Sequence, residues 1–246
     1  MPDSTEHALK NEIISTNVDE IGDFWAKAVY PYAAPIVEAN ERLEPDPIGS
    51  AVRVTFAAKE YLITAAHVIE GHLQGTGKER SQGAPYSYIP EQVEIEGEVV
   101  TAPDPIDLAI VPLLSTSRSG LRAPEHFALD VKEGERCLFV GFQARPKSWD
   151  IDSSRVTLRP QPLAYMGTVS KPTAERFGIR FNQKRLYRSG AKQNAIGKLN
   201  GISGAGVFVL RKDSPRLAGI VIEYQKHASE IIATTSLALL SMLKAS

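Results

Sequence analysis

Apolar and polar positions recur in two periods along this chain, and the change from one to the other falls near residue 48. Before it, Ile21, Trp25, Ala28 and Val29 stand at the three-to-four spacing that gathers side chains on one helical face. Asn17 occupies an N-cap position, and Glu20 follows three residues later to complete a capping box. The pattern predicts a helix within residues 17–42, ended or kinked by Pro31 and Pro35, which lack an amide proton and clash with the preceding turn. Its apolar stripe is expected to pack on the main domain, with a partner-binding face as the alternative.

Beyond residue 48 the runs shorten. Residues 50–56 and 61–65 predict a hairpin joined through Ala57-Ala58-Lys59-Glu60. Residues 93–100 alternate Val93, Ile95, Gly97 and Val99 with glutamates, the period-two mark of a half-buried strand. Residues 108–114 form a continuous apolar run suited to a strand buried on both faces. Further strands are predicted over 136–142, 164–170, 178–181, 206–210 and 217–224, a polar loop over 71–92, and a closing helix over 236–244. Many short strands separated by turns predict a barrel or sandwich.

Composition narrows this picture. All-β domains reach 246 residues as one unit, and 43% hydrophobic residues can form a sizeable core without covalent staples. The single cysteine, Cys137, rules out an intrachain disulfide and is expected to pack as a small hydrophobe. A net charge of -1 gives no bulk attraction to nucleic acid or to anionic membrane. The polar N-terminus shows no signal-peptide pattern, and no apolar run approaches the ~18 residues of a membrane span. A reducing, cytoplasmic setting is therefore expected, although a chain trimmed of its signal would read the same. The basic residues Lys184, Arg185, Arg188, Lys192 and Lys198 suit either a nucleic-acid patch or a solvated loop, and the lack of an aromatic platform favours the loop. His72, His126 and His227 lack partners at metal-ligand spacing, so no metal or cofactor is expected.

Three segments carry chemistry. His67 follows a strand through the small residues Thr64, Ala65 and Ala66, which leave room for a shaped imidazole site; a lone histidine after a strand is more often structural. Asp107 abuts the apolar run from Leu108, so its carboxylate will be partly buried and needs a partner; a turn or strand cap after Pro105 is the plainer role. Ser203 lies within Gly201-Ile202-Ser203-Gly204, a tight turn that exposes the backbone, or a plain glycine turn. Together the three make a nucleophile, a base that takes its proton, and a carboxylate that orients the base. The N–H groups of Gly201 and Ser203 then suit an oxyanion hole, where glycine lets the donor face the tetrahedral oxygen.

These segments resemble the histidine, aspartate and serine motifs of trypsin-like (chymotrypsin-fold) serine proteases: Thr64-Ala65-Ala66-His67, Asp107-Leu108-Ala109-Ile110 and Gly201-Ile202-Ser203-Gly204-Ala205. The order His, Asp, Ser is that family's and excludes the subtilisin and α/β-hydrolase orders. Separations of 40 and 96 residues suit a triad shared between two barrels. Phe139-Val140-Gly141-Phe142 is similar to the strand that opens the second barrel in bacterial members, and Leu217-Ala218-Gly219-Ile220-Val221 to the strand after the nucleophile. The resemblance implies a mostly β fold of two six-stranded antiparallel barrels, with an intracellular setting. Barrel one would span about 48–130 and barrel two about 131–235, preceded by a helical extension over 1–47 and followed by a C-terminal helix over about 236–244.

It also implies a serine endopeptidase acting on polypeptide substrates through an acyl-enzyme. A catalytically inactive pseudoprotease that binds peptide or protein is the alternative, and a latent enzyme released by a regulatory protein partner lies between them. The specificity pocket maps to Gly197, Lys198, Leu199, Asn200 and Gly201, to Ile222, Glu223 and Tyr224, and to a strand near Glu230. Gly197 near the floor is not acidic, so a strict preference for Arg or Lys is not expected. Glu223 and Glu230 either supply a negative charge or lie as solvated surface charges. Ile202 replaces the aspartate that pairs with a newly cut N-terminus in trypsin-type zymogens, so no such activation is expected. Ala205 replaces the family's usual second glycine. Restraint on activity is expected from the N-terminal helix and the loops over 71–92 and 143–162.

Overall fold

The computed structural model describes residues 14–16, 20–39, 45–73, 86–87, 99–113, 120–142, 150–152, 155–157, 162–181, 199, 201–211 and 214–246. Helix α1 covers Glu20–Val29, and a 3-10 turn over Tyr30–Tyr32 carries Pro31 near its start. The helix therefore ends at the first proline, and Asn17 lies outside the described residues. Ala26 and Val29 are buried and Trp25 half-buried, but Ala28 is exposed, so the buried stripe is rotated from the predicted one.

The stretch after Pro31 differs from the pattern's expectation. Ala33–Ala39 is strand β2, paired antiparallel with β3 (Pro45–Phe56), so the first sheet begins well before residue 48. The physical reason is that Pro35 cannot donate to a helical ladder, and tertiary pairing with β3 supplies the hydrogen bonds that a helix would have made. Ile14–Thr16 (β1) joins the second sheet in parallel with β12, again where helical texture had been expected to lead the chain.

The first sheet runs β5-β2-β3-β4-β7-β6, where β4 is Lys59–Ala65, β5 Tyr86–Ser87, β6 Val100–Ala102 and β7 Leu108–Leu113. A short strand β8 (Leu121–Arg122) adds in parallel along β3. The β3–β4 turn is tighter than the predicted four-residue loop. Only Ala57 and Ala58 lie outside the strands, both left-handed at φ 49° and 63°. Two positive φ values give the turn that matches strand twist, in a conformation alanine adopts at a cost.

The second sheet contains β9 (Arg136–Phe142), β12 (Pro162–Ser170), β13 (Arg176–Arg180), β14 (Gly206–Leu210), β15 (Pro215–Gln225) and β16 (Glu230–Thr235). These six pair in a ring, β9-β12-β13-β16-β15-β14 and back to β9, all antiparallel, which closes a barrel and removes its edges. A small hairpin, β10 (Asp150–Asp152) with β11 (Arg155–Thr157), stands apart. The predicted strand over 93–100 lies mostly outside the described residues; of the loop predicted over 71–92, residues 71–73 are instead helical and Tyr86–Ser87 form β5, while the rest lies outside the described residues.

Both faces of the central strands are buried, which explains their continuous apolar runs. In β9, Cys137 and Phe139 point into the barrel while Leu138 and Val140 join the cluster between the two sheets. In β4, Tyr61 and Ile63 face that shared cluster and Leu62 faces the other side. Full burial of a side chain such as Phe139 stabilises the fold by roughly 1.5–3 kcal/mol. Helix α2 (Ala66–Leu73) follows β4 directly. Helix α3 (Ser236–Ala245) is capped by Thr235, whose hydroxyl accepts from the Ala238 amide at 3.2 Å. Leu239, Leu240 and Leu243 of α3 close the shared cluster.

Candidate active site

His67 is the second residue of α2, and Asp107 immediately precedes β7. Strands β4 and β7 pair in register, Ala65 opposite Leu108, so the residues just beyond each meet at the sheet's end. The Ala66 amide donates to the Asp107 carbonyl at 3.1 Å, and the His67 amide donates to Asp107 Oδ1 at 3.1 Å. Asp107 Oδ2 sits 2.7 Å from His67 Nδ1. One carboxylate thus fixes both the first turn of the helix and the ring on it. Asp107 adopts φ 47°, a left-handed conformation that aspartate tolerates better than most residues and that clusters at functional sites. Its side chain is 19% exposed while the imidazole is 49% exposed, so the oriented ring still meets solvent.

The second barrel holds the Asp107 loop from behind. Arg176 of β13 donates to the Pro105 carbonyl and pairs with Asp104, and Thr234 of β16 donates through Oγ1 to the Ile106 carbonyl at 2.5 Å. Sequence reasoning missed both. An arginine beginning one strand and a threonine next to the end of another carry no local sign of a partner far away in the chain.

Ser203 lies on the turn between Leu199 and β14. Gly201 and Gly204 have φ of 91° and 88°, a region L side chains rarely adopt, which explains a glycine on each side of the serine. A Cβ on Gly204 would also overlap the Ser50 carbonyl oxygen. The Gly204 amide donates to Val221 at 2.7 Å and the Ala205 amide to Ile202 at 2.9 Å. Among the described residues, no acceptor takes the N–H of Gly201 or of Ser203. Ile202 is 2% exposed within the second barrel's apolar cluster, which accounts for an apolar residue before the serine.

The Ser203 turn and the His67 helix adjoin across Gly49. A Cβ there would stand 2.5 Å from Val68 Cγ1 and 3.3 Å from the Ser203 carbonyl oxygen. The chain thus brings the backbone of Ser203 within a glycine's width of the residue after His67.

The expected pocket residues divide. Gly197, Lys198 and Asn200 lie outside the described residues. Leu199 is buried in the second barrel's cluster, and Tyr224 packs there edge-on against Phe181, ring centroids 5.3 Å apart. Ile222 is buried against the first sheet's cluster, and Glu223 is exposed, accepting from Gln225 at 3.3 Å. Glu230 is not a solvated charge. At 8% exposure it accepts from the Ser170 hydroxyl and lies 3.8 Å from Lys171 Nζ, in space left open by the absent side chain of Gly178.

No family model matches this chain, and no curated protein matches it. Among solved structures it is similar to an inactive, serine-to-alanine form of Rv3671c from M. tuberculosis H37Rv, at 14% identity with a TM-score of 0.55, covering 95% of this chain and 96% of that one. At that identity the likeness carries the fold: a mostly β architecture consistent with the chymotrypsin-like double barrel. No helix among the described residues is long and apolar enough to cross a membrane.

Proposed function

We propose that this chain is a serine endopeptidase with Ser203 as nucleophile, His67 as base and Asp107 as its orienting carboxylate. The observation that carries this reading is the 2.7 Å contact of His67 Nδ1 with Asp107 Oδ2, made by a carboxylate that also holds the His67 amide. The Asp107 contact leaves Nε2 as the ring nitrogen for chemistry. His67 takes the Ser203 proton as the hydroxyl oxygen attacks the substrate carbonyl, and returns it to the leaving amine. The developing oxyanion accepts from the N–H groups of Gly201 and Ser203. Water then attacks the acyl-enzyme with His67 again as base. No cofactor or metal enters these steps.

Where Leu199 and Ile222 line the substrate cleft, burial of their side chains leaves the backbone to meet the polypeptide. With Glu230 engaged by Ser170 and Lys171, no carboxylate of that strand is offered to a basic side chain. Burial of Ile202 supports activity independent of a new N-terminal amine, and control by a protein partner fits a cytoplasmic enzyme without a zymogen lock.

A fluorophosphonate probe tests the reading. The folded wild type is expected to label and the Ser203→Ala variant not to. Failure of both to label would mean either a latent enzyme that awaits its partner or a chain that binds peptide or protein without cleavage.

A further inference from the structure

Ser50 is fully buried, yet it has no part in the chemistry just described. Its amide donates to the Ser203 carbonyl at 2.8 Å. Its hydroxyl donates to the Gly201 carbonyl at 2.7 Å and accepts from the Phe142 amide at 2.8 Å. Its own carbonyl accepts from Thr64 Oγ1 at 2.7 Å. One residue of β3 therefore touches the nucleophile turn twice, the end of the strand that opens the second barrel, and the strand that delivers His67.

The turn has few other anchors. Within it, the Ile202 amide reaches Leu199 only at 3.4 Å, and the Ala205 amide closes back on Ile202. Outside it, among the described hydrogen bonds, the segment from Gly201 to Gly204 is held by the Gly204 amide on Val221 and by the two bonds from Ser50. Gly201 needs such a hold because glycine rotates with little steric resistance and its φ of 91° is one option among several. The hub is also closed to relaxation. A Cβ on Gly141 would stand 2.9 Å from Ser50 Oγ, and one on Gly204 would overlap the Ser50 carbonyl oxygen.

We infer that Ser50 is a positioning residue: its hydroxyl holds the Gly201 peptide so that the N–H groups of Gly201 and Ser203 stay aimed at one point. This rests on the protease reading above. Donors prearranged for the oxyanion act on the transition state more than on bound substrate. Loss of the hydroxyl is therefore expected in kcat and not in KM.

The test is Ser50→Ala in the full chain, with turnover expressed per active site titrated by a fluorophosphonate, at a temperature where circular dichroism shows both proteins folded. The expected result is a kcat per titrated site lowered about 10- to 100-fold, below the loss for removing an oxyanion donor outright, with KM within about threefold. A merely structural role would reduce the number of titratable sites and leave kcat per site unchanged, and that result overturns the inference. If the alanine variant does not fold, Ser50→Cys carries the test. Its weak thiol donor is expected to lower kcat per site at least about fivefold, and a wild-type value overturns the inference. A wild type that neither labels nor turns over refutes the reading of the chain by itself as an active protease, whatever Ser50 does.

Discussion

Replacing Asp107 by asparagine separates charge from shape, and the two contacts of the carboxylate determine the outcome. Oδ1 accepts the His67 amide at 3.1 Å and Oδ2 faces Nδ1 at 2.7 Å. An asparagine has one oxygen for these two places. With the oxygen on the amide, its NH2 faces Nδ1, the ring proton moves to Nε2, and the ring can no longer accept from Ser203 as the proposed reaction requires. With the oxygen on Nδ1, the NH2 meets the backbone N–H donor to donor, which costs about 1–3 kcal/mol. A bias of about 2 kcal/mol leaves only a few per cent of molecules in the productive tautomer, a loss of roughly 30-fold. Losing the charge-assisted partner of the imidazolium removes about 1.5–3 kcal/mol more, another factor of roughly 10 to 100. The expected fall in kcat is on the order of 10³-fold, with the fold intact. Turnover per titrated site measures it, and nitrogen NMR of histidine-labelled protein reads the tautomer directly. A folded variant that keeps kcat within tenfold of wild type, or keeps the proton on Nδ1, would refute this account.

Three further outcomes concern stability and reactivity. Ala57→Asn with Ala58→Gly relieves two left-handed alanines in the β3–β4 turn and is expected to stabilise the protein by about 1 kcal/mol in urea unfolding; a loss of stability would contradict the turn geometry. His126 is held below its ordinary value of 6.5, first by burial and then by Arg122 and Arg216, and its Nδ1 accepts from the Arg122 amide. The unfolded chain binds that proton more readily, so stability is complete above pH 6.5 and declines as pH falls below it; Tm measured from pH 7.5 to 5 should be flatter in His126→Gln, and parallel curves would exclude the effect. Burial pushes the Cys137 thiol up to about 12, so iodoacetamide at pH 8 should leave the native protein unmodified and label it in denaturant, whereas native labelling would show the strand to open readily.

Much of the candidate site was legible because it is local. A small-residue run ahead of His67, an aspartate abutting a buried strand, and glycines around Ser203 each follow from short-range demands on space and backbone conformation. Strands such as 136–142 and 206–210 were legible for the same reason, since both of their faces are apolar and no helix period fits them. The stretch over 33–39 was not legible, because its pairing with β3 overrides a pattern compatible with a broken helix. Glu230 was misjudged because nothing adjacent in sequence announces Ser170 and Lys171 beside it, or the gap at Gly178 that admits it.

The sequence by itself determined the residue types, their order along the chain, and the local backbone freedom that the proposed chemistry needs. Only the tertiary structure decided what holds those residues in place. Ser50 reaches Gly201 across 151 residues, and Thr234 reaches Ile106 across 128. A hydrogen bond between distant residues has no periodicity and leaves no local mark; it exists because the first sheet and the closed barrel pack through one apolar cluster and bring those atoms within 3 Å.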